Sequence, residues 1–367
     1  MKPLDVLSTC FSTGSTAHAR QTKLWENFVW EDLIKTAEEQ LVLPALQSRL
    51  RELGASAQPP RDISDFFSAV EELNLERNDA IFTELAAVAS LLNAVGIEPV
   101  LLKGAAYCAT GVYPNSALRY LWDIDLLIPE RQMPTAVATL KQNGFESQES
   151  YRLGHFRHHH PPLQRKGAVH FELHHSVGMG ICKTLLPASE MIEQSSVHDF
   201  RGTKVRIPSP EHMMVHLIMH SQCQHPYHER IWPPLRAMYD LVLLRSRFSG
   251  EIDWAAIEGR FHHARQSAVL ELHVLQVQES LGAETPFPIR LNWLTRLRWL
   301  RRKLLRTLPP LRFLDPIYMY STLLLRRLRL LRTALEAPGG WRRIARELFA
   351  ADFYKRFVTD IIQGYGR

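Results

Sequence analysis

The stretch YLWDIDLLIP, residues 120–129, sets two aspartates into an otherwise apolar run that reads as a strand. A strand turns successive side chains to opposite faces. Trp122, Ile124, Leu126 and Ile128 then share one apolar face, and Arg119, Leu121, Asp123, Asp125 and Leu127 share the other. Two carboxylates that close raise each other's pKa, and an unpaired charge taken out of water is costly. A divalent cation between them removes that cost. Mg²⁺ suits the pair, because it is a hard ion that takes one or two carboxylates together with substrate phosphates. The plainer alternative is two solvated aspartates at a strand end, balanced by Arg119.

A later strand, AVHFELHH, repeats the device. Val169, Phe171 and Leu173 alternate with His170, Glu172 and His174, so Glu172 is a third carboxylate opposite an apolar face. Three acids on neighbouring strands meet the requirement of a two-metal phosphoryl-transfer site. LLKGAA adds a strand that ends at Lys103-Gly104 and runs into a helix start. There Gly104 permits close backbone approach to a ligand, and Lys103 offers a point charge to phosphate. A different chemistry is open to His170, Glu172 and His174, which alternate onto one face and are potential Zn²⁺ or Mn²⁺ ligands of a metallohydrolase. HExxH is absent, however, and that reading leaves the DxD pair without a role.

The surrounding pattern predicts an α+β fold with a small mixed β-sheet. Ile81, Phe82, Leu85, Val88, Leu91, Leu92 and Val95 form a helical stripe closed by Gly96. Two strands, a helix ending at Gly144, a hairpin turning near Gly167 and a final strand at TKVRI follow. Residues 1–77 read as an N-terminal helical region, 78–209 as the α+β core, and 210–367 as a C-terminal helical region with a basic tail.

The chain has 367 residues, enough for a sizeable core. No run of 18 apolar residues is present to span a membrane. The N-terminus lacks the pattern of a signal peptide, and the four cysteines form no CxxC pair, which points to a cytoplasmic protein. The net charge of +6 is uneven: from Arg290 to Arg332 twelve Lys or Arg stand against Asp315 alone, an excess of 12 − 1 = +11.

VLLKGAA, YP, Arg119 and WDIDLLI, followed by VHFELHH and a helical region, resemble the uncharacterised bacterial nucleotidyltransferases of the polymerase-β-like superfamily. The resemblance covers about residues 78–245. It implies a sheet that presents three acids to a Mg²⁺-bound (or Mn²⁺-bound) nucleoside triphosphate, and transfer of a nucleoside monophosphate to an acceptor: a small molecule, a protein or an RNA. Asp123 and Asp125 match the paired metal ligands, and Glu172 matches the third acid, which is usually aspartate. By the same resemblance Lys103, Gly104 and Arg119 hold the triphosphate. Lys103-Gly104 stands where the wider superfamily has Gly-Ser, so the phosphate-touching hydroxyl is missing. The gap of 18 residues from Gly104 to Asp123 is also longer than usual. A catalytically inactive interaction or antitoxin-like protein on the same fold is the alternative.

His158, His159 and His160 read as hairpin surface residues. His216 and His220, one helical turn apart, read as a packed helix contact, and Arg236 and Asp240 as an i, i+4 ion pair. In the tail, Leu291, Leu294, Leu297, Leu304, Leu305 and Leu308 fall near one helical stripe, with Arg296, Arg302, Lys303 and Arg306 largely elsewhere. Such a helix over 290–332 either lies on an anionic membrane, binds RNA, or docks on the core with a solvated arginine face. Docking is the plainer reading.

Overall fold

The computed structural model describes residues 3–13, 29–54, 58–147, 158–224, 231 and 234–335. The chain divides into two compact units, Met1–Tyr227 with Pro233–Arg290, and His228–Trp232 with Leu291–Arg367.

The first unit opens with helices α1 (Pro3–Cys10), α2 (Trp30–Glu39), α3 (Leu43–Leu53) and α4 (Arg61–Asn93). Strand β1 (Val100–Leu101), helix α5 (Lys103–Ala109), strand β2 (Asp123–Leu127) and helix α6 (Met133–Gln142) follow. Then come β3 (Glu146–Ser147), β4 (Leu163–Gln164), β5 (His170–His174), α7 (Ile181–Leu185), α8 (Ala188–Glu193), β6 (Ser196–Phe200) and β7 (Thr203–Ile207). Helices α9 (Pro210–Met219), α10 (Leu235–Arg247), α11 (Trp254–His263) and α12 (Ser267–Leu281) complete it. The second unit carries α13 (Trp293–Thr307) and α14 (Leu314–Leu335).

The sheet is mixed, as the element order predicts, and has seven strands in the order β3-β4-β5-β2-β1-β7-β6. Its centre matters most for the site. β2 runs parallel to β5, in a register that pairs Asp123 with His170, Asp125 with Glu172 and Leu127 with His174. On the other edge β2 pairs antiparallel with β1.

α4 is a single helix of 33 residues that runs unbroken through positions 77 and 78, where the sequence reading divides helical region from core. Its stripe of Ile81, Phe82, Leu85, Val88 and Leu92 is buried in the core. Gly96, at φ +76°, reverses the chain so that the Ile97 N–H donates back to the Leu92 carbonyl. This is the left-handed position that favours glycine. Val95 lies past the helix and is exposed rather than part of the stripe.

Ile124, Leu126 and Ile128 are fully buried, but Trp122 is 67% exposed. It precedes the first paired residue of β2, so the alternation that places the other three does not bind it, and its ring instead lies 6.2 Å from that of Tyr120. Strand β6 and helices α7 and α8 are absent from the sequence reading. Four of the five β6 residues are exposed, so the strand carries no apolar alternation to betray it.

Candidate active site

Asp125 lies at the centre of the site. It is 2% exposed, and its Oδ1 accepts two hydrogen bonds, from Lys103 Nζ at 2.8 Å and from His174 Nε2 at 2.7 Å. The parallel register sets Glu172 beside it on β5, and His174 follows two residues later on the same face. His174 Nε2 is 3.4 Å from Glu172 Oε2. One potential ligand atom from each of Asp125, Glu172 and His174 lies within 4.8 Å of the others. Two carboxylates and an imidazole are thereby gathered at one point.

The charges of these groups follow from their partners. Burial alone would raise the Asp125 carboxyl, yet the Lys103 ammonium and the His174 hydrogen bond hold it well below the usual range. Burial likewise opposes the charged forms of Lys103 and His174, and Asp125 raises both in spite of it. Burial and the charge of Asp125 would raise Glu172, yet the hydrogen bond with His174 and the charges of His159 and His174 together lower it. Asp123 behaves in the opposite way. It is only half-buried, and burial together with the charge of Asp125 lifts its carboxyl to about 6. The two aspartates read as equivalent from the sequence therefore differ: one is locked into internal ion pairs, and the other stands at the rim.

Lys103 begins α5 with a positive φ of +50°, an uncommon conformation for a residue with a Cβ. That turn swings its ammonium under β2. Gly104 serves a different contact. A Cβ there would meet Leu121 Cδ2 at 2.6 Å, so the missing side chain lets the approach to β2 pack onto α5.

Arg119 is buried and directed away from solvent. Its Nε and Nη2 donate to the two oxygens of Asp240 on α10, each at 3.0 Å, and its Nη1 donates to the Tyr120 carbonyl at 2.8 Å. The Tyr113 hydroxyl adds a bond to Asp240 at 2.6 Å. From α4, Asn78 Nδ2 donates to the carbonyls of Ser116 and Arg119, and Asn74 Nδ2 to that of Ala117. The segment entering β2 is thus pinned from two helices. Asp240 does not pair with Arg236, as helical spacing predicts, because both its oxygens are taken. Arg236 is half-buried, and burial with the field of Arg119 lowers its pKa, against the fields of Asp240 and Asp123. Among the described residues it makes no hydrogen bond or ion pair.

The structure thus brings Lys103, Asp125 and Glu172 together, with Asp123 at the rim and Gly104 beneath the approach, while Arg119 is engaged elsewhere. The sequence places His174 beside Glu172 only as a ligand of the alternative metallohydrolase, not with Asp125, and it does not point to Arg236, whose charge acts on Asp123. The alternation in AVHFELHH placed His174 beside Glu172 and was the available signal. His158 and His159 are not hairpin surface residues. Each ring lies 5.1 Å from that of His174, and His158 is buried. The strand bridge between His159 and His174 draws them inward. Burial, with the charge of His174, lowers His158 to about 3, so this imidazole stays neutral. His216 and His220 do form a ring contact, at 6.2 Å.

The carboxylate cluster thus sits on the central parallel pair of a mixed sheet. The model of a family of uncharacterised nucleotidyltransferases matches residues 26–282, and the chain belongs to that family. No curated protein matches it. Among solved structures it is similar to an antigenic nucleotidyltransferase-like protein from Paracoccidioides brasiliensis, at 16% identity over 56% of this chain and 94% of that one, with a TM-score of 0.35. It is also similar to the antibiotic-resistance factor ANT(2'')-Ia, at 16% identity over 53% of this chain and 97% of that one, with a TM-score of 0.35.

Proposed function

We propose that the protein transfers a nucleoside monophosphate from a nucleoside triphosphate to a hydroxylated acceptor, in the manner of the polymerase-β superfamily and with a divalent cation, in the cytoplasm. The observation that carries the reading is the meeting of Asp125, Glu172 and His174 on the paired strands β2 and β5. This donor set fits a divalent ion: two carboxylates suit Mg²⁺ or Mn²⁺, and the imidazole adds a ligand that Mn²⁺ accepts more readily. When bound, such an ion would screen the triphosphate and polarise the phosphorus under attack.

The chain's own residues supply the rest. Asp123, at the rim, extends the acidic surface toward the nucleotide. Lys103 balances Asp125 in the absence of a cation and is the point charge nearest to arriving phosphates. Arg236 is the second cation available to them, since its guanidinium is not committed to a carboxylate. Gly104 and Arg119 act on position: one admits Leu121 against α5, and the other fastens the entry to β2 onto α10. Glu172 is ionised throughout the neutral range and accepts the proton of the attacking hydroxyl, with His174 orienting its carboxylate. The hydroxyl oxygen then bonds to the α-phosphorus as pyrophosphate leaves.

One observation favours a second reading, an inactive interaction protein. The Lys103 ammonium already occupies Asp125, as a built-in cation would. The test is incubation of α-labelled nucleoside triphosphates with a lysate, with and without Mg²⁺, Mn²⁺ or Zn²⁺, using wild type and Glu172→Gln. Cation-dependent label on RNA, protein or a small molecule, lost in the variant, is expected and identifies the acceptor class. No label with any nucleotide and any of these metals sinks the enzyme reading. Zn²⁺-dependent hydrolysis without transfer would assign the cluster to a metallohydrolase.

A further inference from the structure

Helix α13 carries Arg296, Arg298, Arg301, Arg302, Lys303 and Arg306 and no acid. Most of its leucines and Trp293 are not hidden. Trp293, Leu297, Leu300 and Leu304 are each between 46% and 74% exposed. At about 100° per residue these four fall within roughly 60° of one another, so they form a single stripe. Arg296 and Lys303, both exposed, lie along one edge of it. The opposite side of the helix, at Thr295, Arg302 and Leu305, is the buried one. α14 continues the pattern: Ile317 and Leu324, seven residues apart and on one face, are exposed as well. The helix therefore turns its apolar stripe toward solvent, the reverse of what packing onto a core produces.

A contiguous exposed apolar stripe marks an interaction surface. Its chemistry selects the partner. An RNA would be met by the arginines but leaves the leucines and Trp293 without a role. A basic helix whose apolar side chains are exposed, and whose net hydropathy is low, is the kind that lies in a membrane interface, with leucine and tryptophan among the acyl chains and Lys or Arg at anionic headgroups. No described helix is long and apolar enough to cross a membrane. We propose that the second unit docks on an anionic lipid surface through the α13 stripe of Trp293, Leu297, Leu300 and Leu304, with Arg296 and Lys303 at the headgroups.

The test uses the full chain, sedimented with vesicles of phosphatidylcholine alone or with added phosphatidylglycerol. Pelleting is expected with the anionic vesicles and weakly or not at all with the neutral ones. The double variant Leu297→Asp/Leu304→Asp should lose about tenfold or more in binding, because charged groups cannot enter the acyl region. Arg296→Glu/Lys303→Glu should lose about tenfold at low salt and little at high salt. All four positions are exposed, so circular dichroism should match wild type. Quenching by brominated lipid that disappears in Trp293→Phe would place that side chain in the bilayer. Equal pelleting with both vesicle types, or with neither, overturns the proposal. So does a concentration-dependent dimer abolished by Leu297→Asp, which would assign the stripe to a second copy. Salt-sensitive RNA binding indifferent to Leu297→Asp, with no lipid binding, would also overturn it.

Discussion

Lys103 Nζ lies 2.8 Å from Asp125 Oδ1, and the backbone of Lys103 takes a φ of +50° at that point. A non-glycine residue gives up about 1 kcal/mol or more in the left-handed region. Lys103 tolerates it because the turn delivers the ammonium to a buried carboxylate. Two variants separate the contributions. Lys103→Met keeps the backbone strain and leaves Asp125 short of a counter-charge. Lys103→Gly also removes the charge but relieves the strain. Chemical denaturation should show both variants less stable than wild type, with the glycine variant recovering roughly 1 kcal/mol relative to methionine. Equal loss would mean that the turn is not strained.

The pair of Arg119 and Asp240 is a buried, bidentate ion pair with side chains 8% and 4% exposed. Removing one partner leaves the other charge stranded. Arg119→Met should therefore cost about 3–5 kcal/mol, and Arg119→Met/Asp240→Leu should regain much of it. The readout is the urea midpoint, without nucleotide. A primary role of Arg119 in holding triphosphate predicts the reverse: near-normal stability for the single variant and a raised KM for nucleotide.

Strand parity made part of this site legible. A period of two set Asp123 and Asp125 on one side of their strand and Glu172 on one side of its own, and the parallel register of β2 with β5 joins them. The helical stripe over 81–92 and the turn at Gly96 were equally local. What parity cannot reveal is a partner brought from elsewhere in the chain. Asp125 meets Lys103 across 22 residues and His174 across 49, and Arg119 meets Asp240 across 121. The i, i+4 spacing of Arg236 and Asp240 was a true local signal overridden by a better-buried competitor. The histidines at 158 and 159 looked like polar surface, and only the bridge to β5 turns them inward.

The mixed donor set sets a metal preference. A ligand that binds only the folded state stabilises it by RT ln(1 + [L]/Kd), about 2.7 kcal/mol at a hundredfold excess over Kd. Thermal unfolding should rise by a few degrees with Mn²⁺ at lower concentrations than with Mg²⁺, because the imidazole of His174 favours the softer ion. In His174→Gln, whose side chain offers an amide oxygen, the gap between the two ions should narrow. Glu172→Gln should lose the response to both. An unchanged Mn²⁺ preference in His174→Gln would remove the histidine from the ligand set.

The two aspartates of β2 should respond oppositely to the same substitution. In the cation-free protein the Asp123 carboxyl is raised to about 6 by burial and by Asp125. Between about pH 4 and 6 the folded chain then holds a proton that the unfolded chain, with an ordinary carboxyl, has released, so this group adds stability as pH falls through 6. Above pH 6 it is an ionised, poorly solvated charge beside another. Asp123→Asn should therefore raise stability at pH 7.5, by on the order of 2 kcal/mol, and flatten the rise in stability between pH 6 and 4. Asp125 is held well below the ordinary range by Lys103 and His174 against its burial, so its contribution is present above that range and is lost as pH falls toward its own pKa. Asp125→Asn leaves the ammonium of Lys103 without its counter-charge and should cost about 3 kcal/mol at neutral pH. Denaturation with EDTA present, across pH 4–8, measures both. Two variants that shift stability the same way would mean that both carboxylates are equally solvated, and the division between a locked and a rim aspartate would be wrong.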